Sequence, residues 1–270
     1  MRCRFASYVV VAAGVGLWLS PAAAAASEWP LSGYWPMYEG RGQVVHDISG
    51  NGNHGRLGSS VSTDGRDADW TTGLYGVGKA LRFDGNDYIA IPDDYSLHQQ
   101  RLTVEAWVRR DGSPGQWKYI VSKGGDRCEA GSYGLYSSLN GGIAFYVYDG
   151  KKWWRSPQGS RNIWDDRWHH VAGTYDGASV RLFVDGWEVG SGTPFKGKIS
   201  YEQPYDQGAI GTYRGSCALT MSGVVDEVRI WRAALPVGKI WSTISRTLYL
   251  EPAARLPEDA SAWYEGAPPG

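Results

Sequence analysis

The stretch RWHHVAGTYDGASVRLFVDGWEV, Arg167 to Val189, decides how the chain is read. Two adjacent histidines invite a metal or catalytic reading, but the residues around them alternate between apolar and polar. On a strand, His169 and Val171 then point to one face, and Trp168, His170 and Ala172 to the other. Neighbouring side chains on a strand cannot converge on one atom, so the pair reads as structural. Asp185-Gly186, between VRLFV and WEVGS, is the two-residue signal of a hairpin whose turn needs positive φ at both positions.

Working outward, the same grammar recurs. LTVEAWV sets Leu102, Val104, Ala106 and Val108 against Thr103, Glu105 and Trp107. From about Lys79 onward, short runs of this kind (ALRF, YIAI, YIVS, YGLYSS, IAFYVYDG, AIGTY, VVDEVRIW) are separated by Gly, Asp and Asn. Many short antiparallel strands joined by tight turns predict an all-β sandwich or jelly roll. One helix is predicted, at Pro236 to Ser245, with Pro in its first turn and Val237, Ile240, Trp241 and Ile244 on one face.

Composition narrows the function. The chain has 270 residues, 42% hydrophobic and 20% charged, enough to bury the core of one large domain. A formal net charge of -1 with interspersed signs offers no basic stripe for nucleic acid. Its 14 Trp and 17 Tyr against 5 Phe favour rings with a polar handle, suited to half-buried sheet faces and to stacking on sugars.

The first residues are of another kind. Arg2 and Arg4 precede an apolar run from Tyr8 to Leu19, then Pro21 and alanines ending at Ala26. This is the pattern of a secretory signal peptide over residues 1–26, and the run is shorter than the ~20 residues of a membrane span. Export to an extracellular location without a membrane anchor is expected. Residues 27–249 then form the domain, and the Pro/Ala-rich tail 250–270 is expected to be disordered. After cleavage, Cys128 and Cys217 remain in an oxidising compartment, where only one intramolecular pairing is open to them.

HDISGNGNHGRL (His46 to Leu57), GKALRFDGNDYIAIP (Gly78 to Pro92), LTVEAWVRR, RWHHVAGTYDGASVRLFVDGWEV and GVVDEVRIWRAALP (Gly223 to Pro236) together resemble the laminin-G-like jelly rolls of the concanavalin A-like lectin and glucanase superfamily. The resemblance implies a concanavalin A-like sandwich of two antiparallel sheets with one short C-terminal helix. That fold hosts lectins, glycan-binding modules, glycosidases, lyases and adhesion domains, so function must be argued from the site.

Glycosidases on this fold resemble one another in carrying acidic residues at alternate positions of one strand, Glu-x-Asp-x-(x-)Glu. Such a strand is missing here: Asp226 and Glu227 are adjacent, Glu105 stands alone, and His46, His54 and His98 lie in loops without ligand spacing. The reading is a secreted module that binds a poly- or oligosaccharide without cleaving it. An extracellular hydrolase or lyase, and a protein-binding adhesion domain, stay open as alternatives.

In superfamily relatives the loops that hold Cys128 and Cys217 fold together on one rim, which implies a disulfide between them and a ligand site beside it. Asp126, Tyr213 and Arg214 from these loops, with Trp153 or Trp154 from the hairpin YVYDGKKWWRS, would supply stacking faces and hydroxyl partners. The two tryptophans could equally be core. The resemblance also implies a structural Ca²⁺ held by Asp47, Asn51 and Asn53 of DISGNGN together with Asp226. The same Asx residues could instead cap backbone amides.

Overall fold

The computed structural model describes residues 29–124, 131–201, 207–213 and 219–249. Its strands in chain order begin with β1 (Leu31–Trp35), β2 (Val44–Val45), β3 (Gly55–Leu57), β4 (Asp69–Thr72), β5 (Lys79–Asp84) and β6 (Ile89–Ile91). There follow β7 (Leu102–Arg109), β8 (Tyr119–Gly124), β9 (Gly131–Tyr136), β10 (Ala144–Tyr148) and β11 (Trp153–Arg155). The remainder are β12 (His169–Tyr175), β13 (Ser179–Val184), β14 (Trp187–Glu188), β15 (Thr193–Pro194), β16 (Gln207–Ile210), β17 (Ser222–Trp231) and the helix α1 (Val237–Tyr249).

A nine-stranded sheet runs β14-β13-β12-β7-β17-β5-β4, with β1 beside β17 and β15 beside β13. An eight-stranded sheet runs β11-β10-β9-β8-β16-β6-β3-β2. Their pairings are antiparallel, and the two sheets close on one core, so the jelly-roll sandwich anticipated from the alternation is the fold. Strands start earlier than the sequence pattern indicated. β1 to β4 precede Lys79, and β1 pairs with β17 nearly two hundred positions away, from Leu31 opposite Trp231 to Trp35 opposite Val228.

The period-two reading of β7 and β12 holds residue by residue. Leu102, Val104, Ala106, Val108 and Val171 face the core between the sheets. Trp107, Trp168 and Ala172 face the other way, into a second cluster covered by Ile240 and Ile244 of α1. Both faces of these central strands are therefore buried, which explains why their alternation is apolar against mixed rather than apolar against charged. The Asp185-Gly186 turn takes φ of 49° and 80°, as its type requires. A Cβ at Gly186 would lie 2.6 Å from the Trp241 ring, so glycine is what lets the helix approach the hairpin.

α1 starts where Pro236 suggested, the Pro236 carbonyl accepting from the amides of Lys239 and Ile240. It runs past Ser245 to Tyr249, because Thr243 and Thr247 continue its buried face. Val237 and Trp241, assigned to that face from the pattern, are exposed instead.

Beneath α1 lies a buried set of charges. Glu105 accepts from Trp231 Nε1 (3.0 Å) and Thr243 Oγ1 (3.2 Å), with His170 Nε2 at 3.3 Å and Arg229 Nη1 at 3.7 Å. Arg229 Nη2 donates to Glu227 Oε2 (2.5 Å) and to the Tyr34 hydroxyl (2.7 Å). A bulge between Asp226 and Arg229, with Glu227 at φ 55°, turns the Glu227 carboxylate to the Arg229 side. These carboxylates are shut away from solvent and tie β1, β7, β12 and β17 together.

Candidate functional site

His169 and His170 diverge as the strand geometry demands. His170 lies against Glu105 and the Trp107 ring, 5.4 Å between centroids. His169 is clamped near the surface, Nδ1 at 2.7 Å from Asp185 and Nε2 at 3.1 Å from Asp165. The Asp185 hydrogen bond raises the His169 pKa above its ordinary value against the opposing effect of burial, and Asp165 adds to the rise.

Among the described residues, two aromatic clefts open on the outer faces of the sandwich. The larger, about 670 Å³, lies beside α1 on the nine-stranded sheet and is lined by Tyr75, Trp168, His169, Trp187 and Trp241 among others. Among its polar groups, His169 is held by Asp185 and Asp165, Arg109 lies over the Trp168 ring (5.3 Å) and 3.9 Å from Asp166, and Arg167 is 3.8 Å from Asp165.

The smaller, about 340 Å³, lies on the outer face of the eight-stranded sheet and is lined by Trp117, Tyr119, Tyr136, Tyr146, Trp153, Arg155 and Leu219. Register explains the convergence. Tyr146 sits opposite both Arg155 and Gly134, Tyr148 opposite Trp153, and Tyr119 opposite Tyr136, so each strand turns an aromatic or cationic side chain to the same face. Gly134 is the floor: a Cβ there would come within 2.7 Å of the Tyr146 ring and 2.8 Å of the Tyr119 ring.

The rings are mutually braced. Trp117, held at φ 59°, stacks on Tyr136 at 5.6 Å and 8°, and Tyr136 stacks on Tyr119 at 5.3 Å. Tyr146 stands edge-on to both, and Tyr148 packs on Trp153 at 5.4 Å. Burial pushes the Tyr136 phenol up to about 12, and Tyr119 and Tyr146 rise for the same reason, so all three remain neutral hydroxyls. The Arg155 guanidinium stands at the mouth, 5.6 Å from the Trp117 ring and 5.4 Å from the Trp153 ring.

Of the residues anticipated from sequence, Trp153 lines this cleft. Tyr213 is buried next to it, its ring 5.1 Å from Tyr119. Trp154 turns to the opposite face of β11. It stacks on Phe195 at 4.5 Å, donates from Nε1 to Asp149 (2.7 Å) and carries Lys152 Nζ over its ring at 3.6 Å. Asp126, Arg214, Cys128 and Cys217 lie outside the described residues. Sequence reasoning singled out Arg155 beside the two tryptophans but did not assign Trp117, Tyr119, Tyr136 or Tyr146 to a site. Their signal was weak: single aromatics on separate strands that only the register brings together.

The oxygen ligands anticipated for Ca²⁺ do not fit an ion. Asp47 Oδ1 accepts from the amides of Tyr34 and Ser49, and its Oδ2 from the Asn53 amide and the Ser49 hydroxyl. Asn51 and Asn53 turn their amide N–H groups to the Ser32 carbonyl. Asp226 faces other partners, the amides of Leu74 and Glu227. Among the described residues, no cluster of three or more His, Cys, Asp or Glu side chains is placed to hold a metal.

A two-sheet jelly roll with aromatic clefts on its outer faces defines a class that includes many sugar- and protein-binding modules. The chain belongs to the Laminin_G_3 family of the concanavalin A-like lectin/glucanases superfamily, whose profile matches residues 83–240. Among solved structures, it is similar to domain 4 of AbnA, a GH43 extracellular arabinanase from Geobacillus stearothermophilus, in complex with arabinotriose. That likeness has a TM-score of 0.59 at 19% identity over 79% of this chain and 98% of that one. The binding domain of Paraclostridial Mosquitocidal Protein 1 gives 0.60 at 12% identity, over 82% of this chain and 53% of that one. Trypanosoma rangeli sialidase gives 0.57 at 18% identity, over 82% of this chain and 33% of that one. No curated protein matches by sequence.

Proposed function

We propose that the protein is an exported carbohydrate-binding module that holds a poly- or oligosaccharide in the cleft of Trp117, Tyr119, Tyr136, Tyr146 and Trp153 without cleaving it. The observation that carries this reading is the cleft itself. Braced ring faces match the apolar faces of sugar rings, and neutral tyrosine hydroxyls with one guanidinium match sugar hydroxyls. A pair of carboxyl groups, which glycosidic cleavage requires, is lacking among the described residues that line it. The likeness to an arabinanase domain seen with arabinotriose agrees with a sugar ligand.

The two adjacent tryptophans provide the test. Trp153→Ala should weaken retardation in affinity electrophoresis several-fold, about 1 kcal/mol for one ring, with little change in melting temperature. Trp154→Ala should do the reverse, since its ring packs on Phe195 inside the sandwich. Equal binding by wild type and Trp153→Ala would place the site elsewhere, and new reducing ends released by the wild type would make the protein a hydrolase.

Export and a Cys128–Cys217 bridge belong to the same reading, supported by the leader pattern and by a single cysteine pair remaining after Ala26. Among the described residues, no helix is long and apolar enough to cross a membrane. The secreted protein, unfolded without reductant, should show no free thiol, and its N-terminus should lie near Ser27. Two reactive thiols or a retained Met1 would refute this part.

A further inference from the structure

We propose that the cleft selects an acidic polysaccharide, with the carboxylate of a uronic acid unit paired to Arg155. This rests on the reading of the cleft as a sugar site and adds what kind of sugar it takes.

Arg155 is the only charged side chain among the described residues that line the cleft. Two indole rings flank it, and neither is an anion. No carboxylate among the described residues forms an ion pair with it. The acid of its own hairpin, Asp149, is already engaged by Trp154 Nε1 and by the amides of Lys151 and Lys152. The phenols cannot supply the missing charge, because burial keeps them protonated.

A guanidinium presents five N–H donors in a planar fork that matches the two oxygens of a carboxylate. Held between Trp117 and Trp153, the Arg155 fork loses little freedom on meeting that group. A sugar ring stacked on Trp153 would bring an equatorial carboxylate toward the same mouth. Deeper in, the Tyr146 side chain is 2% exposed, its hydroxyl shut away beside that of Tyr119.

The experiment compares the full chain on polygalacturonate and alginate with the same polymers after methyl esterification, beside neutral arabinan and galactan. Wild type should bind at least one acidic polymer tenfold or more tightly than its ester. Arg155→Gln should lose the preference and bind acid and ester alike, with an unchanged melting temperature. Lys151→Gln removes the same charge from the exposed turn and should keep the preference.

Three results would overturn the proposal: equal wild-type affinity for acid and ester, an undiminished preference in Arg155→Gln, or an equal loss in Lys151→Gln, which would trace the preference to overall charge. Binding confined to arabinan or galactan would also overturn it while leaving the cleft a sugar site. Binding to none of these polymers would sink both readings together.

Discussion

Arg229→Met is expected to lower the unfolding free energy by about 3–5 kcal/mol, the cost of stranding buried charges rather than the strength of any single contact. Glu105 and Glu227 are both fully shielded from solvent. Burial pushes Glu105 upward, but His170, Arg229 and the Trp231 N–H together hold it below the ordinary glutamate value. Without the guanidinium, two carboxylates share a dry site with one histidine. Urea denaturation at neutral pH measures the loss. The double change Arg229→Met with Glu227→Leu should be less damaging than Arg229→Met alone, since it removes one stranded charge with the cation. A cost under 1 kcal/mol for the single variant would mean that water reaches the site.

The sign of the pH effect follows from the same arrangement. A carboxyl group whose folded pKa is depressed stabilises the fold above its unfolded pKa, near 4.5 for glutamate. That stability is lost as pH falls through the folded value. Acid should therefore weaken the wild type through Glu105, and Glu105→Gln should flatten that limb of the stability curve while lowering the plateau.

Asp47→Ala should cost a comparable amount, about 3–5 kcal/mol. The backbone amides of Tyr34 and Asn53, in buried bonds, and of Ser49, in a partly buried one, would each lose the carboxylate oxygen they donate to, and each unsatisfied buried donor costs roughly 1–3 kcal/mol. The carboxylate is a brace that ties the DISGNGN loop to β1, so chelator should leave the melting temperature of the wild type unchanged. A drop of several degrees in EDTA, restored by calcium, would show that an ion competes for these oxygens after all.

The central strands were legible because their alternation is local. In β7 and β12, five or more successive residues report the face each occupies, and Asp185-Gly186 reports its own turn. β1 was not legible. Its five residues, LSGYW, include a glycine and a serine, and what makes them a strand is a ladder to β17 that no local pattern encodes.

The cleft failed to show for a related reason. Trp153 and Trp154 are identical in type and adjacent, and both lie in the hairpin that sequence singled out. Which of them meets solvent depends on whether Phe195, forty positions away, fills the space on the other side. Tyr119 and Tyr136 gain their meaning only when Gly134 lets their neighbours close over it.

β11 is only three residues long and forms the outer edge of its sheet. An edge of unpaired amides and carbonyls invites a strand from another chain, and short length with cationic side chains is a common defence. Lys151, Lys152 and Arg155 give this edge both. Two like edges repel each other, so neighbouring copies of the chain would stay separate rather than zip into a shared sheet.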